Sequence, residues 1–160
     1  MSRLTNLTYL DLDGTPVTDA GLAHLSGLAN LKRLDLGGTS VTDAGLVRLT
    51  GLKNLTSLGL SGTKVTDAGL AQLSRLKNLE WLWLNTTQVS VAGVAHLSGL
   101  ANLRELALSG TGLTDADLVH LSGLKNLRKL FLYKTAITKK GIEELKTALP
   151  DCEIGYSPAD

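Results

Sequence analysis

Leucine recurs along this chain with a period of 24 residues that holds from residue 7 to residue 127. With the first leucine of each copy at position 1, the unit reads L-x-x-L-x-L-x-x-T-x-V-T-D-A-G-L-x-x-L-S-G-L-x-N. Positions 1, 4, 6, 11, 16, 19 and 22 are apolar in all six copies, which begin at residues 7, 31, 55, 79, 103 and 127. A fixed period of this length predicts a solenoid in which each copy packs against its neighbours.

The spacing inside each copy predicts two elements. Leucines at positions 1, 4 and 6 combine a three-residue step with a two-residue step, which is typical of a short strand entered through a bend. Apolar positions 16, 19 and 22 step by three and indicate a short helical or 3₁₀ return segment. Position 12 carries a hydroxyl that can cap the start of this segment: Thr18, Thr42, Thr66, Ser90, Thr114 and Thr138. The aspartates that follow would face the positive end of each helix dipole: Asp19, Asp43, Asp67 and Asp115.

These residues resemble the leucine-rich repeat consensus over residues 1–156. The second half of the unit, as in the V-T-D-A-G-L of residues 41–46, is similar to the cysteine-containing subclass found in F-box proteins and in bacterial relatives. The resemblance implies an α/β fold, a right-handed solenoid with a parallel concave sheet and short convex helices. Position 9 is threonine where that subclass has asparagine or cysteine, so we expect these threonines to form a thinner hydrogen-bond ladder between repeats.

We expect a single domain over residues 1–160, with a partial repeat at 1–6, the six repeats, and a C-terminal cap at 149–156. In the cap, Ile154 and Tyr156 fall at positions 4 and 6 of a seventh, vestigial strand. At the other end only six residues precede the first strand. An open strand edge pairs readily with another chain, so we expect self-association through this N-terminal edge strand, or fraying of the first repeat.

Composition narrows the possible functions. The chain is 43% hydrophobic with a formal net charge of +1, which gives no bulk basicity for nucleic acid. No apolar run approaches membrane-spanning length, so we expect neither a nucleic-acid nor a membrane partner. The single cysteine, Cys152, leaves no intrachain disulfide, which favours a reducing, cytoplasmic location.

The sequence has no group of residues spaced as catalysis or metal binding requires. We therefore expect no catalytic residue, cofactor or metal site. The three histidines all fall at position 18, a variable polar column on the convex side: His24, His96 and His120. Serines at position 20 have no histidine and acid in register, and the glycines at position 8 mark turns rather than a phosphate loop. Cys152 lies beside two acids, which disfavour a thiolate, so we interpret it as structural.

The concave face is where the repeats differ. Positions 3, 5 and 7 of each strand should point out of the sheet while 4 and 6 point into the core. Five of the six aromatic residues occupy these outward positions: Tyr9, Trp81, Trp83, Phe131 and Tyr133. Leucine already builds the core, so exposed rings indicate an interface. Alternatively, the two tryptophans only pack over neighbouring strands.

A slot is predicted where position 5 reads Trp83, Ala107 and Phe131 in three consecutive repeats, because the two rings would stand about 9–10 Å apart at the sheet spacing. The predicted partner-binding residues are the floor, the two walls and the rim. The floor is Ala107 and Ser109; the walls are Trp83 with Asn85 and Phe131 with Tyr133; the rim is Trp81, Glu105 and Lys129.

The same repeats depart from the consensus elsewhere. Thr86 and Lys134 replace the glycine of position 8, and Val91 and Lys139 replace the aspartate of position 13, which suggests that repeats 4 and 6 have specialised. Charge is also uneven along the concave face. Acids lie toward its N-terminal strands and bases toward its C-terminal strands: Asp11, Asp13 and Asp35, against Arg104, Arg128, Lys129 and Lys134.

We therefore predict a non-enzymatic module that binds a protein or peptide through its concave face. One alternative is a structural or assembly module that associates through its repeat ends. Another is the substrate-receptor part of a larger ligase-type protein, which the subclass resemblance alone suggests.

Overall fold

The computed structural model describes residues 4–157, so the first half of the predicted partial repeat and the three residues after Ser157 lie outside it. Seven strands form one parallel sheet in sequence order. They are β1 (Tyr9–Asp11), β2 (Arg33–Asp35), β3 (Ser57–Gly59), β4 (Trp81–Trp83), β5 (Glu105–Ala107), β6 (Lys129–Leu132) and β7 (Glu153–Tyr156). Each strand pairs with the next so that equal repeat positions are opposite each other, as in Leu34 beside Leu58. The predicted vestigial strand is therefore present as β7.

The return segments lie between the strands, and each begins at position 13 as the hydroxyl pattern predicts. They are α1 (Asp19–Leu22) with the 3₁₀ turn Ala23–Leu25, α2 (Asp43–Leu49), α3 (Asp67–Leu73), α4 (Val91–Ala95) with the 3₁₀ turn His96–Gly99, the 3₁₀ turn Asp115–Asp117 with α5 (Leu118–Leu121), and α6 (Lys139–Ala148). The hydroxyl of Thr42 accepts a hydrogen bond from the N–H of Ala44, and that of Thr138 accepts one from Gly141. Thr66 caps α3 in the same way, whereas the side chains of Thr18 and Ser90 make no capping hydrogen bond, so the prediction is confirmed for three segments and wrong for these two.

The leucines build one continuous core along the array. From Leu22 to Leu149 the repeated apolar positions are buried except for the half-buried Ala148, and most in the central repeats have no exposed surface. At the N-terminal edge, Leu7, Leu10, Leu12 and Val17 are only partly buried. At the other end, Cys152 is buried and burial raises the pKa of its thiol to about 11, which keeps it protonated.

The position-9 threonines do not bond between repeats, so that expectation is wrong. Each hydroxyl instead donates to the carbonyl three residues earlier in its own repeat, for example Thr39 to Leu36 at 2.7 Å and Thr111 to Leu108 at 2.6 Å. The hydroxyl is short, and the carbonyl at the end of its own strand lies within its reach. These threonines stabilise the turn that leaves the sheet.

Asparagines at position 24 form the side-chain ladder between repeats. The side-chain amide of Asn54 donates to the carbonyl of Ala29 at 2.9 Å, and that of Asn78 donates to Lys53 at 2.8 Å. The same bond recurs at Asn30, Asn102 and Asn126. The asparagine side chain at position 24 therefore reaches the preceding repeat, whereas the shorter threonine side chain at position 9 bonds within its own repeat.

A second link between repeats joins the position-13 aspartates to the next repeat. The carboxylate of Asp19 accepts from the backbone N–H of Thr42 at 2.8 Å and from its hydroxyl at 2.7 Å. The same pair joins Asp43 to Thr66 and Asp115 to Thr138, and a serine takes the place of the threonine in the pair of Asp67 with Ser90. The sequence predicts that these acids act on their own helix, whereas their hydrogen bonds go to the start of the following one.

Position 15 must remain small wherever this pair forms. A methyl group built on Gly45 would overlap the carboxylate of Asp19, and one built on Gly69 would overlap that of Asp43. The glycine of the unit's D-A-G sequence therefore makes room for the aspartate of the preceding repeat. This requirement is steric and does not depend on backbone conformation.

The joint between repeats 4 and 5 is built differently. Residue 91 is valine and has no carboxylate to offer to Thr114. Repeat 5 has Asp117 at position 15 instead of glycine, and this side chain is fully buried. Its Oδ2 accepts hydrogen bonds from the backbone N–H and the hydroxyl of Thr114. Asp117 of repeat 5 thus takes the place of the carboxylate that repeat 4 lacks.

Candidate binding site on the concave face

The sheet register places the predicted slot residues side by side. Trp83 is paired with Ala107, and Ala107 is paired with Phe131. Trp83 and Phe131 are half-buried, while Ala107 between them is only 2% exposed and does not belong to the leucine core. Ala107 therefore forms a floor flanked by two larger side chains on the solvent side of the sheet.

Nine residues line an open depression of about 490 Å³ at this place, which we call the concave depression. They come from positions 5, 7 and 8 of repeats 4, 5 and 6: Trp83, Asn85, Thr86, Ala107, Ser109, Gly110, Phe131, Tyr133 and Lys134. The middle repeat contributes small residues and the two flanking repeats contribute large ones. A depression of this volume falls within the range of small-ligand sites.

Side-chain contacts hold both aromatic walls. The indole Nε1 of Trp83 donates a hydrogen bond of 2.8 Å to a carboxylate oxygen of Glu105 on the next strand. On the other side, the rings of Phe131 and Tyr133 stack with centroids 6.5 Å apart and an interplanar angle of 21°. Aromatic pairs at this separation stabilise each other beyond their buried area.

Polar side chains at position 7 link repeats 3 to 6. The hydroxyl of Ser61 accepts from the backbone N–H of Asn85 at 3.2 Å, and the amide oxygen of Asn85 accepts from the N–H of Ser109 at 2.9 Å. The hydroxyl of Ser109 in turn accepts from the N–H of Tyr133 at 3.2 Å. These bonds use side-chain acceptors to satisfy backbone donors just after each strand, where regular ladder pairing ends.

Tyr133 also depends on the C-terminal strand. A methyl group built on Gly155 would come within 2.7 Å of the Tyr133 hydroxyl, so the phenol lies across the β7 backbone. The C-terminal cap therefore helps to position one wall of the depression.

Two residues at the depression have unusual backbone conformations. Thr86 and Lys134 adopt φ angles of 55° and 54°, in the left-handed region. The other repeats have glycine at this position: Gly14, Gly38, Gly62 and Gly110, with φ between 61° and 69°. A residue with a Cβ atom costs about 1–2 kcal/mol in this region. Repeats 4 and 6 therefore place side chains beside the depression at a cost in stability.

The predicted rim is divided by the structure. Trp81 and Glu105 line a second depression of about 380 Å³ with Arg33, Ser57 and Trp83. Trp83 thus separates the two depressions. Lys129 is exposed at the start of β6 and lines neither of them. Thr86, Gly110 and Lys134 line the concave depression although the sequence did not assign them to it. The signal for Thr86 and Lys134 was the consensus break at position 8, whereas Gly110 keeps the consensus residue and gave no signal.

Acidic residues occupy the N-terminal end of the same face. Asp11 accepts a hydrogen bond of 3.1 Å from the Tyr9 hydroxyl, and this bond is the main reason that the pKa of Tyr9 is raised. The guanidinium of Arg33 lies 5.4 Å from the centre of the Tyr9 ring. A methyl group built on Gly59 would overlap the Asp35 carboxylate, which lies over the neighbouring strand.

The convex side carries the three histidines at position 18, where His24 and His96 are exposed and His120 is half-buried. Within residues 4–157, no cluster of three or more histidine, cysteine or acidic side chains is placed to hold a metal ion. No helix in this part of the chain has the length and apolar character needed to cross a membrane.

Comparison with known proteins agrees with this architecture. The sequence profile of a family described as leucine rich repeat matches residues 5–65. The solved structure of internalin C2 from Listeria monocytogenes is similar with a TM-score of 0.80 and 28% identity, over 97% of this chain and 63% of that one. The fold is that of a leucine-rich repeat solenoid, as the sequence predicts.

Two further structures are similar to parts of longer proteins. The internalin inlF of Listeria monocytogenes has a TM-score of 0.56 and 25% identity over 99% of this chain and 56% of its own. A leucine-rich repeat protein of Leptospira interrogans has a TM-score of 0.60 and 26% identity over 82% of this chain and 38% of its own. This chain thus spans less than two thirds of each of the three structures. A comparison with curated proteins found no match.

Proposed function

We propose that this chain is a non-enzymatic module that binds a protein or peptide through its concave face, at repeats 4 to 6. The observation that carries the proposal is the concave depression, which has half-buried rings on both sides of a small-residue floor. Aromatic anchors in such pockets dominate the energetics of many interfaces. Leucine-rich repeat proteins commonly bind other proteins, which supports the same function.

The position of the rings favours a partner over a purely structural role. The core beneath them is closed by leucines such as Leu82 and Leu106, which have no exposed surface. Trp83 and Phe131 lie on the other side of the sheet and add nothing to that core. Aromatic residues that are partly accessible on such a surface are typical of binding patches.

A pull-down with matched variants tests this proposal. The parent chain should retain proteins that Trp81→Ala/Trp83→Ala and Ala107→Trp lose, because the first removes a wall and the second fills the floor. Tyr9→Ala is the control, since it removes an exposed ring on the same face but outside both depressions. Circular dichroism should show that every variant remains folded. Partners lost by Tyr9→Ala and kept by the other variants would place the interface at the acidic end and contradict the proposal.

Assembly through the repeat ends is the second candidate, and the partly buried Leu10 and Leu12 beside the edge strand β1 favour it. End-to-end stacking of two chains would place position 13 of repeat 6 beside Thr18, where four joints within the chain have an aspartate that accepts hydrogen bonds from the next repeat. That position is Lys139, which cannot accept those hydrogen bonds. Self-association is therefore more compatible with two β1 edges pairing across a two-fold axis.

Sedimentation velocity over a range of concentrations tests self-association. A concentration-dependent dimer that Leu10→Lys abolishes would support pairing through β1. A monomer at every concentration would exclude it. The cytoplasmic location, the F-box-type subclass and the ligase-receptor alternative remain predictions.

A further inference from the structure

The concave depression has an apolar end and a polar end. Position 5 contributes Trp83 and Phe131 at one end, and position 8 contributes Thr86 and Lys134 at the other. The two positions are three residues apart, and because positions 7 and 8 lie in a turn after the strand, the distance between them is at most about 10 Å. An occupant that fills both ends must therefore carry two different groups within that distance.

The side chains at the polar end are not required by packing. A Cβ atom built on Gly62 would approach neighbouring backbone atoms no closer than 3.7 Å, and one on Gly14 would meet nothing within 4 Å. Space is thus open at position 8 in repeats 1 to 3, whereas a Cβ atom on Gly110 would come within 3.2 Å of the Thr86 hydroxyl. Only the two repeats that flank the depression carry a side chain at this strained position. Backbone strain of this kind collects at ligand-binding sites.

The polar end of the concave depression is positively charged. Lys134 is the one ionisable cation among the nine residues, and none of the nine is acidic. Within residues 4–157 its ammonium group takes part in no salt bridge. Glu105 accepts the hydrogen bond of Trp83 and lines the other depression. The lysine ammonium and the threonine hydroxyl can both donate hydrogen bonds, so this end suits an anionic acceptor.

Building on the concave-face binding proposed above, we infer that the partner presents a peptide segment with two features. An apolar or aromatic side chain enters between Trp83 and Phe131, and a carboxylate at most about 10 Å away meets Lys134 and Thr86. The segment is therefore an acidic one, with an aspartate, a glutamate or a chain terminus within about three residues of the apolar anchor.

Selection from a display library of short random peptides tests this specificity. Peptides retained by the parent should be enriched in an apolar residue with an aspartate or glutamate within three positions. Lys134→Glu should weaken their binding roughly tenfold and shift the selection toward lysine and arginine. Lys139→Glu is the matched control, because it reverses an exposed lysine of the same repeat that lies at the start of α6 and lines neither depression. It should change the affinity less than about twofold.

The two ways of failing are distinguishable. Peptides that require Trp83 but bind Lys134→Glu as well as they bind the parent would overturn the acidic specificity and leave the concave-face function standing. Peptides that bind Trp83→Ala unchanged would overturn both proposals, whereas a selection that enriches no peptide would overturn the acidic peptide specificity alone. Lys134→Gly, which restores the residue of the other repeats, should bind more weakly than the parent while remaining folded.

Discussion

The carboxylate of Asp117 accepts hydrogen bonds from the backbone N–H and the hydroxyl of Thr114. At the neighbouring joints the preceding repeat supplies the acceptor of the equivalent two bonds. At those joints the acceptor is a position-13 aspartate that lies against a position-15 glycine, as Asp43 lies against Gly69. Repeat 4 has Val91 in place of the acid, and repeat 5 has Asp117 in place of the glycine. The two substitutions compensate each other across one joint.

We therefore expect Val91→Asp and Asp117→Gly to be strongly coupled. Alone, Val91→Asp directs a second carboxylate toward Thr114 where Asp117 already lies, and Asp117→Gly leaves the Thr114 N–H without its acceptor. Together they recreate the pair seen at the other joints. Urea unfolding of the two single variants and the double variant should give a coupling free energy of about 1–3 kcal/mol in favour of the double.

The double variant should also be at least as stable as the parent. Oδ1 of Asp117 is buried without a hydrogen-bond partner among the described residues, and such an atom is costly. Free-energy changes that simply add would show that the two positions do not replace one another.

Thr86→Gly and Lys134→Gly should each stabilise the fold. Glycine removes the Cβ penalty at positive φ but adds entropy to the unfolded chain, so we expect a net gain of roughly 0.5–1 kcal/mol each in free energy of unfolding. The reverse change, Gly62→Thr, is the control and should destabilise by a similar amount, because space is open there and only its φ of 69° opposes the new side chain. If both glycine variants were less stable than the parent, the strain argument would be wrong.

Core truncations should depend on position along the array. Leu82 is fully buried at the centre of the sheet, so Leu82→Ala should cost about 2–5 kcal/mol and lower the cooperativity of unfolding by uncoupling the two halves. Leu10 is partly buried at the edge, and Leu10→Ala should cost less. Denaturant titrations that gave equal changes in midpoint and slope for the two variants would contradict this nearest-neighbour behaviour.

Acid should weaken the last Asp–Thr pair. Hydrogen bonds from the Thr138 side chain and backbone lower the pKa of Asp115 in the folded state. The unfolded chain therefore takes up this proton at a higher pH than the folded chain does. The stabilisation is present above the unfolded pKa of about 4 and is lost as pH falls through the lower folded value. Asp115→Ala should accordingly melt below the parent at pH 7, and the difference in Tm should shrink toward pH 2. A difference that stayed constant would show that the carboxylate charge does not contribute.

Much of the concave depression follows from the sequence because the repeat period never slips. Equal positions of successive repeats become register partners, so the adjacency of Trp83, Ala107 and Phe131 needs no three-dimensional information beyond the solenoid itself. The rim does not follow in the same way. Trp81 and Glu105 are separated from the concave depression by the Trp83 ring, whose orientation is fixed by a hydrogen bond to Glu105. Side-chain torsions of this kind depend on contacts in the folded protein, and the repeat pattern of the sequence does not indicate them.

The sequence by itself determined the strands, the starts of the convex segments, the buried leucines and the parallel order of the sheet, because these depend on hydrophobic periodicity and on an unbroken repeat. Only the tertiary structure decided which polar groups meet. The position-9 threonines bond within their own repeat, as Thr39 does with Leu36, while the aspartates bond forward to the next, as Asp19 does with Thr42. Both residue types recur with the same period, so their spacing cannot distinguish the two outcomes. The reach of each side chain and the distance to its acceptor across the joint make that choice.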